Sequence, residues 1–268
     1  MRVLGKVVVV TGGGSGIGRQ LVLELLRRGA RVAAADIRED NLEETVTLAA
    51  AGDRLATFVV DVTDREAVGE LPARVEGVFG AVDGYVSNAG IIQPFVKVQD
   101  LEYDAIDRVI NVNLYGAINM AKAFLPTLLD RPVAHLANVS SMGGFLPVPG
   151  QSIYGAAKAG VKLLTEGLYT ELMETNVGVS VIMPGAVATE ITANSGVDTP
   201  ADAEADADSF TMTSAEDAAK IIVDGMERDD FHIFVGRDSR MMDLAMRVAP
   251  RRAAEFITNK MKTLLDRS

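Results

Sequence analysis

The stretch Thr11-Gly12-Gly13-Gly14-Ser15-Gly16-Ile17-Gly18 follows four valines at 7–10 and leads directly into a segment with helical spacing. Within residues 17–28, Ile17, Leu21, Glu24, Leu25 and Arg28 recur at turn intervals, and Gly29 is placed to end the helix. A strand that turns on glycines into a helix lets the backbone approach a pyrophosphate closely. The first N–H groups of that helix, with its dipole, favour the anion. The spacing here is Gly12, three residues, Gly16, one residue, Gly18, with Ser15 and Ile17 completing the turn. It is not the G-x-G-x-x-G of the general dinucleotide fingerprint, because Ile17 and Arg19 stand where a third glycine would fall.

Outward from this turn the same rhythm repeats. Runs rich in Val, Ala and Ile occur at 6–10, 31–36, 55–61, 83–88, 133–139, 177–183 and 232–235, without strict polar alternation, as strands covered on both faces read. Segments of helical length separate them, with long ones at 101–129 and 152–175. Repeated βα units with right-handed crossovers predict an α/β fold. The expected architecture is a doubly wound, Rossmann-type parallel sheet of about seven strands with helices on both faces, taking ligands beyond the carboxyl ends of the strands. A single domain over residues 1–268 is expected.

Two regions break the rhythm. Residues 190–213 hold Ser195, Gly196, Pro200 and the alternating ADAEADAD, and read as a loop forming a substrate lid. Residues 237–268 read as a helical extension, two short amphipathic helices broken at Pro250. Met241, Leu244, Ala245 and Val248 share one face of the first, for packing against the body or a neighbouring subunit.

Composition narrows the chemistry. With no cysteine and only His135 and His232, neither a disulfide, a thiolate nucleophile nor a His-rich metal site is expected, so redox work would fall to a bound cofactor. The net charge is −11, and between Lys162 and Lys220 eleven acids stand without one basic residue. That sheath disfavours nucleic acid. No apolar run approaches the roughly 20 residues of a membrane span, and the first segment reaches its glycine turn too early for a signal-peptide core. The expectation is a cytoplasmic enzyme.

Asp36 ends the second strand run about 20 residues beyond the glycines, where an acid hydrogen-bonds ribose hydroxyls and repels a 2′-phosphate. It argues for NAD over NADP, although Arg38 nearby could partly tolerate a phosphate. Further on, YGAAK places Tyr154 and Lys158 on one helical face, about 5–6 Å apart at Cβ. Bringing a phenol from about 10 to roughly 7 requires about 4 kcal/mol of preferential stabilisation of the phenolate, which an adjacent ammonium in a dry cleft can supply. Tyr154 would then serve as an acid/base at neutral pH.

Taken in order, these motifs resemble the short-chain dehydrogenase/reductase family, in its branch with subunits of about this length. TGGGSGIG, the NAG triplet of Asn88, Ala89 and Gly90, NVNLYG with Asn113, NVSS with Ser141, YGAAK and PGAVAT span roughly residues 6–189. The resemblance implies a catalytic set of Asn113, Ser141, Tyr154 and Lys158. In it Ser141, thirteen residues before Tyr154, holds the substrate oxygen in preference to Ser140. Asn113 kinks its helix and holds a water in a proton relay to Lys158, and Lys158 grips the nicotinamide ribose while lowering the Tyr154 pKa. Asp61, beside Val62, is similar to the adenine-binding acid, Asn88 to Gly90 line the cofactor cleft, and Pro184, Gly185, Val187 and Thr189 match the segment that holds the carboxamide.

The reaction so implied is interconversion of a secondary alcohol and a ketone with NAD. Met142, Phe145 and Gln151 are expected beside Ser141 and Tyr154 in the substrate pocket, whose apolar side chains favour a hydrophobic small molecule. Two other readings stay open. One is a catalytically silent NAD-binding sensor or scaffold of the same fold. The other is a membrane-surface protein using Arg251, Arg252, Lys260 and Lys262 of the C-terminal helices. A homodimer or homotetramer is expected, with helices 101–129 and 152–175 meeting in a four-helix contact.

Overall fold

Alternation along one strand builds two cores. In the computed structural model, which describes residues 1–189, 191–197 and 212–261, every residue of β1 (Val7–Thr11) is buried. Successive side chains point to opposite faces of a strand. Val8 and Val10 therefore pack with Leu21 and Leu25 of α1 (Gly16–Arg27) and with Ile222 and Met226 of α8 (Ala215–Arg228). Val7 and Val9 join the opposite core, with Leu71 and Val75 of α3 (Arg65–Phe79), Phe124 of α5 (Gly116–Leu129) and Leu168 of α6 (Ser152–Leu172). Covering both faces in this way is what makes the strands read as unbroken apolar runs.

The seven-stranded sheet has the order β3 (Leu55–Val59), β2 (Arg31–Asp36), β1, β4 (Gly84–Ser87), β5 (Ala134–Val139), β6 (Val177–Pro184) and β9 (His232–Val235). All its pairings are parallel. The chain steps outward from β1 through β2 to β3, then returns to lay β4 on the other side of β1. Such a reversal opens a crevice at the carboxyl ends of the two strands. Here it is bounded by the glycine turn after β1 and by Asn88 after β4. A second, two-stranded sheet pairs β7 (Val187–Ala188) with β8 (Thr213–Ser214).

Three expectations are modified. The helix expected over 101–129 is two helices, α4 (Tyr103–Ile110) and α5, joined by a π-helical turn at Asn111–Tyr115. Its extra residue turns Asn113 inward, 2 % exposed, onto the backbone of Ile91. The segment expected as a lid begins with a short helix, α7 (Ile191–Ser195), because the Ser195 hydroxyl ties back to the Ile191 carbonyl. The acidic repeat lies outside the described residues. Past Gly236 the described chain forms two helices, α9 (Arg237–Val248) and α10 (Pro250–Lys260). The face of Met241, Leu244 and Val248 is nevertheless exposed rather than packed on the body, and α9 is anchored at its first turn. Ser239 donates to the Met183 carbonyl and Asp238 accepts from the Ala186 N–H. No helix among the described residues is long and apolar enough to cross a membrane.

Candidate active site

The glycine turn is fixed from three sides. The Thr11 hydroxyl accepts from the N–H groups of Asn88 (3.0 Å) and Ala89 (3.1 Å), which ties the end of β1 to the end of β4. Arg19 and Thr45 reach the carbonyls of Gly14 and Gly13. A Cβ at Gly12 would lie 2.8 Å from the Asn88 amide nitrogen, and one at Gly18 would run into the Gly12 carbonyl oxygen. Gly16 holds φ +51°, in the left-handed region. These glycines are therefore required by close approach and by conformation.

Along this turn runs a cavity of about 500 Å³, lined by Gly12, Ser15, Gly16, Ile17, Asp36, Asp61, Val62, Asn88, Ala89, Gly90 and Thr189, all expected from the sequence. The buried Asp36 carboxylate accepts from the Gly14 N–H through one oxygen and from the Arg38 N–H through the other, both at 3.0 Å. Each oxygen keeps a further lone pair for a hydroxyl donor. Asp61 lies two residues past the observed end of β3. Its Oδ1 accepts from both the N–H and the hydroxyl of Thr63, a local turn that holds the carboxylate at the cavity wall. The cradle of glycines, the ribose-height acid and the helix N-terminus fit a dinucleotide. Pro184, Gly185 and Val187 stand elsewhere. Pro184 closes β6, the Gly185 N–H is spent on the Val235 carbonyl, and Val187 lies in β7, so only Thr189 of that segment lines the cavity.

The reactive groups gather beyond Gly90. A Cβ there would sit 2.8 Å from Asn113 Oδ1 and 3.1 Å from Lys158 Nζ, so the three converge on one spot. Lys158 is 4 % exposed and donates to the Val139 carbonyl at 2.9 Å, its ammonium 5.9 Å from the Tyr154 ring centre. A Cβ at Gly143 would sit 3.2 Å from Tyr154 Cε1 and 3.4 Å from Ser141 Oγ, so the phenol ring edge and the hydroxyl flank one spot, and the Ser141 hydroxyl accepts from the Gly143 N–H at 3.0 Å. Ser140 is excluded from the same task. Its hydroxyl is buried and donates to the Lys158 carbonyl at 2.7 Å.

Burial pushes the Tyr154 phenol above its ordinary value, opposed by the hydrogen bond to Ser141, and burial brings Lys158 down to about 8. A desolvated ammonium is itself costly, so proximity along the helix does not by itself depress the phenol. Asn113 stands in the π turn between α4 and α5. Its amide spends one donor and one acceptor on Ile91, donating to the carbonyl at 2.8 Å and accepting from the N–H at 3.0 Å, and so clamps that loop.

Met142 and Phe145 are partly exposed in the segment that follows Ser141. Gln151 is not a pocket residue. It is 4 % exposed and donates to the Gln93 carbonyl at 2.8 Å, because the loop carrying Gln93 packs against the start of α6. Several residues here gave no spacing signal. Arg108, Asn111, Ile191, Asn194 and Ser195 line the cavity, with Asn194 bridging the Ser15 hydroxyl and the Arg38 guanidinium. Thr11 alone could have been read from the sequence, as the hydroxyl that opens the glycine turn. Among the described residues no cluster of His, Cys, Asp and Glu could hold a metal ion.

Comparison with known proteins bears on this geometry. The family described as short chain dehydrogenase matches residues 6–199. The Mycobacterium tuberculosis protein named "Putative oxidoreductase SadH" is 38 % identical over 251 residues, covering 91 % of each chain. A Burkholderia phymatum short chain dehydrogenase/reductase solved in complex with NAD superposes with a TM-score of 0.82 at 26 % identity, covering 92 % of this chain and 96 % of its own. A Burkholderia cenocepacia short chain dehydrogenase in complex with NADP gives 0.79 at 25 % identity, covering 96 % and 99 %.

Proposed function

The chain belongs to the short-chain dehydrogenase/reductase family, and within it we propose an NAD(H)-dependent oxidoreductase that interconverts a hydrophobic secondary alcohol and its ketone. The observation that carries this reading is the convergence of the Tyr154 ring edge and the Ser141 hydroxyl on one spot beside Gly143, with the buried Lys158 ammonium 5.9 Å from the same ring. Two hydroxyls directed at one point can hold a substrate oxygen while one of them exchanges its proton.

The cofactor would lie along Gly12 to Gly18, with Asp36 at its adenosine ribose, Asn88 to Gly90 along its middle and Lys158 at its second ribose. When bound, its nicotinamide supplies the hydride donor or acceptor. Ser141 orients the substrate oxygen. Tyr154 gives that oxygen a proton in reduction and takes it in oxidation. Lys158, on the same face, stabilises the phenolate that results. NAD in preference to NADP is supported by the Asp36 carboxylate, which repels a 2′-phosphate. Arg38 is partly withdrawn from that role by its 2.7 Å bond to Asn194. Met142 and Phe145 beside Ser141 support an apolar substrate, and α4–α5 with α6 supply faces for a homodimer or homotetramer.

A panel of secondary alcohols assayed with NAD⁺ and with NADP⁺ at the reduced-nicotinamide absorbance tests the reading. Turnover with NAD⁺ that disappears in Tyr154→Phe is expected. Wild-type rates no higher than that variant's would instead support a silent NAD-binding sensor of the same fold.

A further inference from the structure

We infer that Gln93 is a positioning residue for the acid/base, capping from a distant loop the helix that carries Tyr154. The role rests on the dehydrogenase reading above, but the geometry stands apart from it. Helix α6 begins after Gln151, whose side chain makes no capping bond. The first N–H groups of a helix have no partner within it, and a polar residue at the N-cap usually accepts from the second or third. Here those groups are Ile153 N–H and Tyr154 N–H, and both donate at 2.9 Å to Oε1 of Gln93, a residue 0 % exposed and some sixty positions upstream. Gln151 returns the contact, donating at 2.8 Å to the Gln93 carbonyl. The cap is thus exchanged between two buried glutamines.

The loop that carries Gln93 is itself held at both ends of a short strut. Asn113 clamps the N–H and the carbonyl of Ile91, and the Ser195 hydroxyl accepts from the Ile92 N–H at 3.0 Å. Three consecutive residues therefore join the π turn, α7 and the backbone of Tyr154. The arrangement leaves two buried polar atoms, Gln93 Nε2 and Gln151 Oε1, without a protein partner among the described residues. An apolar pair would avoid that cost. Gln93 fixes where the phenol stands relative to Ser141 and takes no part in the proton transfer.

The test compares Gln93→Met, which keeps an unbranched side chain without the acceptor, with Gln93→Glu, which keeps the acceptor. Gln93→Met is expected to lose about a hundredfold in kcat, the scale of a misplacement of about 1 Å, with the KM for NAD⁺ changed less than about threefold. Gln93→Glu is expected to recover kcat to within about fivefold of wild type. A Gln93→Met enzyme with wild-type kcat, or a Gln93→Glu enzyme no better than Gln93→Met, overturns the role. If Gln93→Met does not fold, Gln151→Met, which removes only the return contact, should lose about tenfold in kcat, and an unchanged kcat would count against the pair. Should the wild type prove inactive, the dehydrogenase reading fails separately. The cap then stands or falls on amide hydrogen exchange at Ile153 and Tyr154, slow in wild type and Gln93→Glu and at least tenfold faster in Gln93→Met or Gln151→Met.

Discussion

Replacing Lys158 with methionine is expected to remove activity and, at neutral pH, to relieve the folded protein of a buried charge. The side chain is 4 % exposed, and burial brings its ammonium from 10.5 to about 8. That difference corresponds to about 3 kcal/mol. The sign follows from which state binds more protons. Below pH 8 both folded and unfolded chains carry the charge, and the folded state bears its full desolvation cost. Between pH 8 and 10.5 the unfolded chain stays protonated while the folded one releases the proton, so wild-type stability from this group rises with pH. Methionine has no such dependence. The unfolding free energy of Lys158→Met minus that of wild type should therefore be largest at pH 7 and should fall by about 2–3 kcal/mol by pH 10. Urea unfolding of both proteins at matched concentration across that range measures it, since groups common to both largely cancel in the difference. A difference that stays flat, or that grows with pH, refutes the argument from burial. Turnover should meanwhile drop by about 10²-fold or more.

Asp36→Ala should bring the kcat/KM ratio for NAD⁺ over NADP⁺ down by about tenfold or more, because one close charge repulsion is worth at least about 1.4 kcal/mol; a steady-state comparison of the two cofactors checks it. Gly18→Ala places a Cβ against the Gly12 carbonyl oxygen and should cost about 2–4 kcal/mol of stability, with loss of NADH fluorescence enhancement. At the other end of the sheet, burial pushes the Asp83 carboxyl up, but the Val7 N–H, Arg131 and Lys6 together outweigh it and hold it below the usual carboxylate range. Its stabilisation is present above the unfolded value near 4 and is lost as pH falls through the folded one, so Asp83→Asn should destabilise by about 2 kcal/mol at pH 7 and far less at pH 3 in denaturant titrations.

The sheet was legible because its inner strands are buried on both sides and therefore spelled as apolar runs. Residues 31–36 coincide with β2 for that reason, whereas β9 at the sheet edge, also matched at 232–235, is buried only at Ile233 and Val235. Local patterns also place the glycine turn, Asp36 and the Tyr154–Lys158 face. What escaped the sequence depends on partners far along the chain. The break between α4 and α5, implied at Asn113 by the family resemblance but absent from the helical spacing, hangs on the amide of Asn113 meeting Ile91, 22 positions away. The entry of Asn194 into the cofactor cleft hangs on the Ser15 hydroxyl, 179 positions away. Gln151 reads as a polar pocket residue until its partner, the Gln93 carbonyl, is in place. No period or motif encodes such meetings, since they are settled by packing.

The proton of Tyr154 illustrates the same division between spacing and surroundings. Helical geometry requires that Tyr154 and Lys158 share a face, and the spacing alone points to a depressed phenol. Burial acts on both groups, and it favours whichever form of each is uncharged. It therefore raises the phenol and lowers the ammonium, the reverse of what mutual attraction alone would do. At neutral pH the phenol of this structure keeps its proton, which suits it to protonate a carbonyl oxygen. Acting as a base toward an alcohol requires that proton to leave first. Of the residues at hand, Ser141 can ease that loss by donating to the phenolate, and the Lys158 ammonium, 5.9 Å from the ring centre, attracts the charge that forms. The position of the phenol relative to these two groups, and not its identity alone, therefore decides how readily it changes roles.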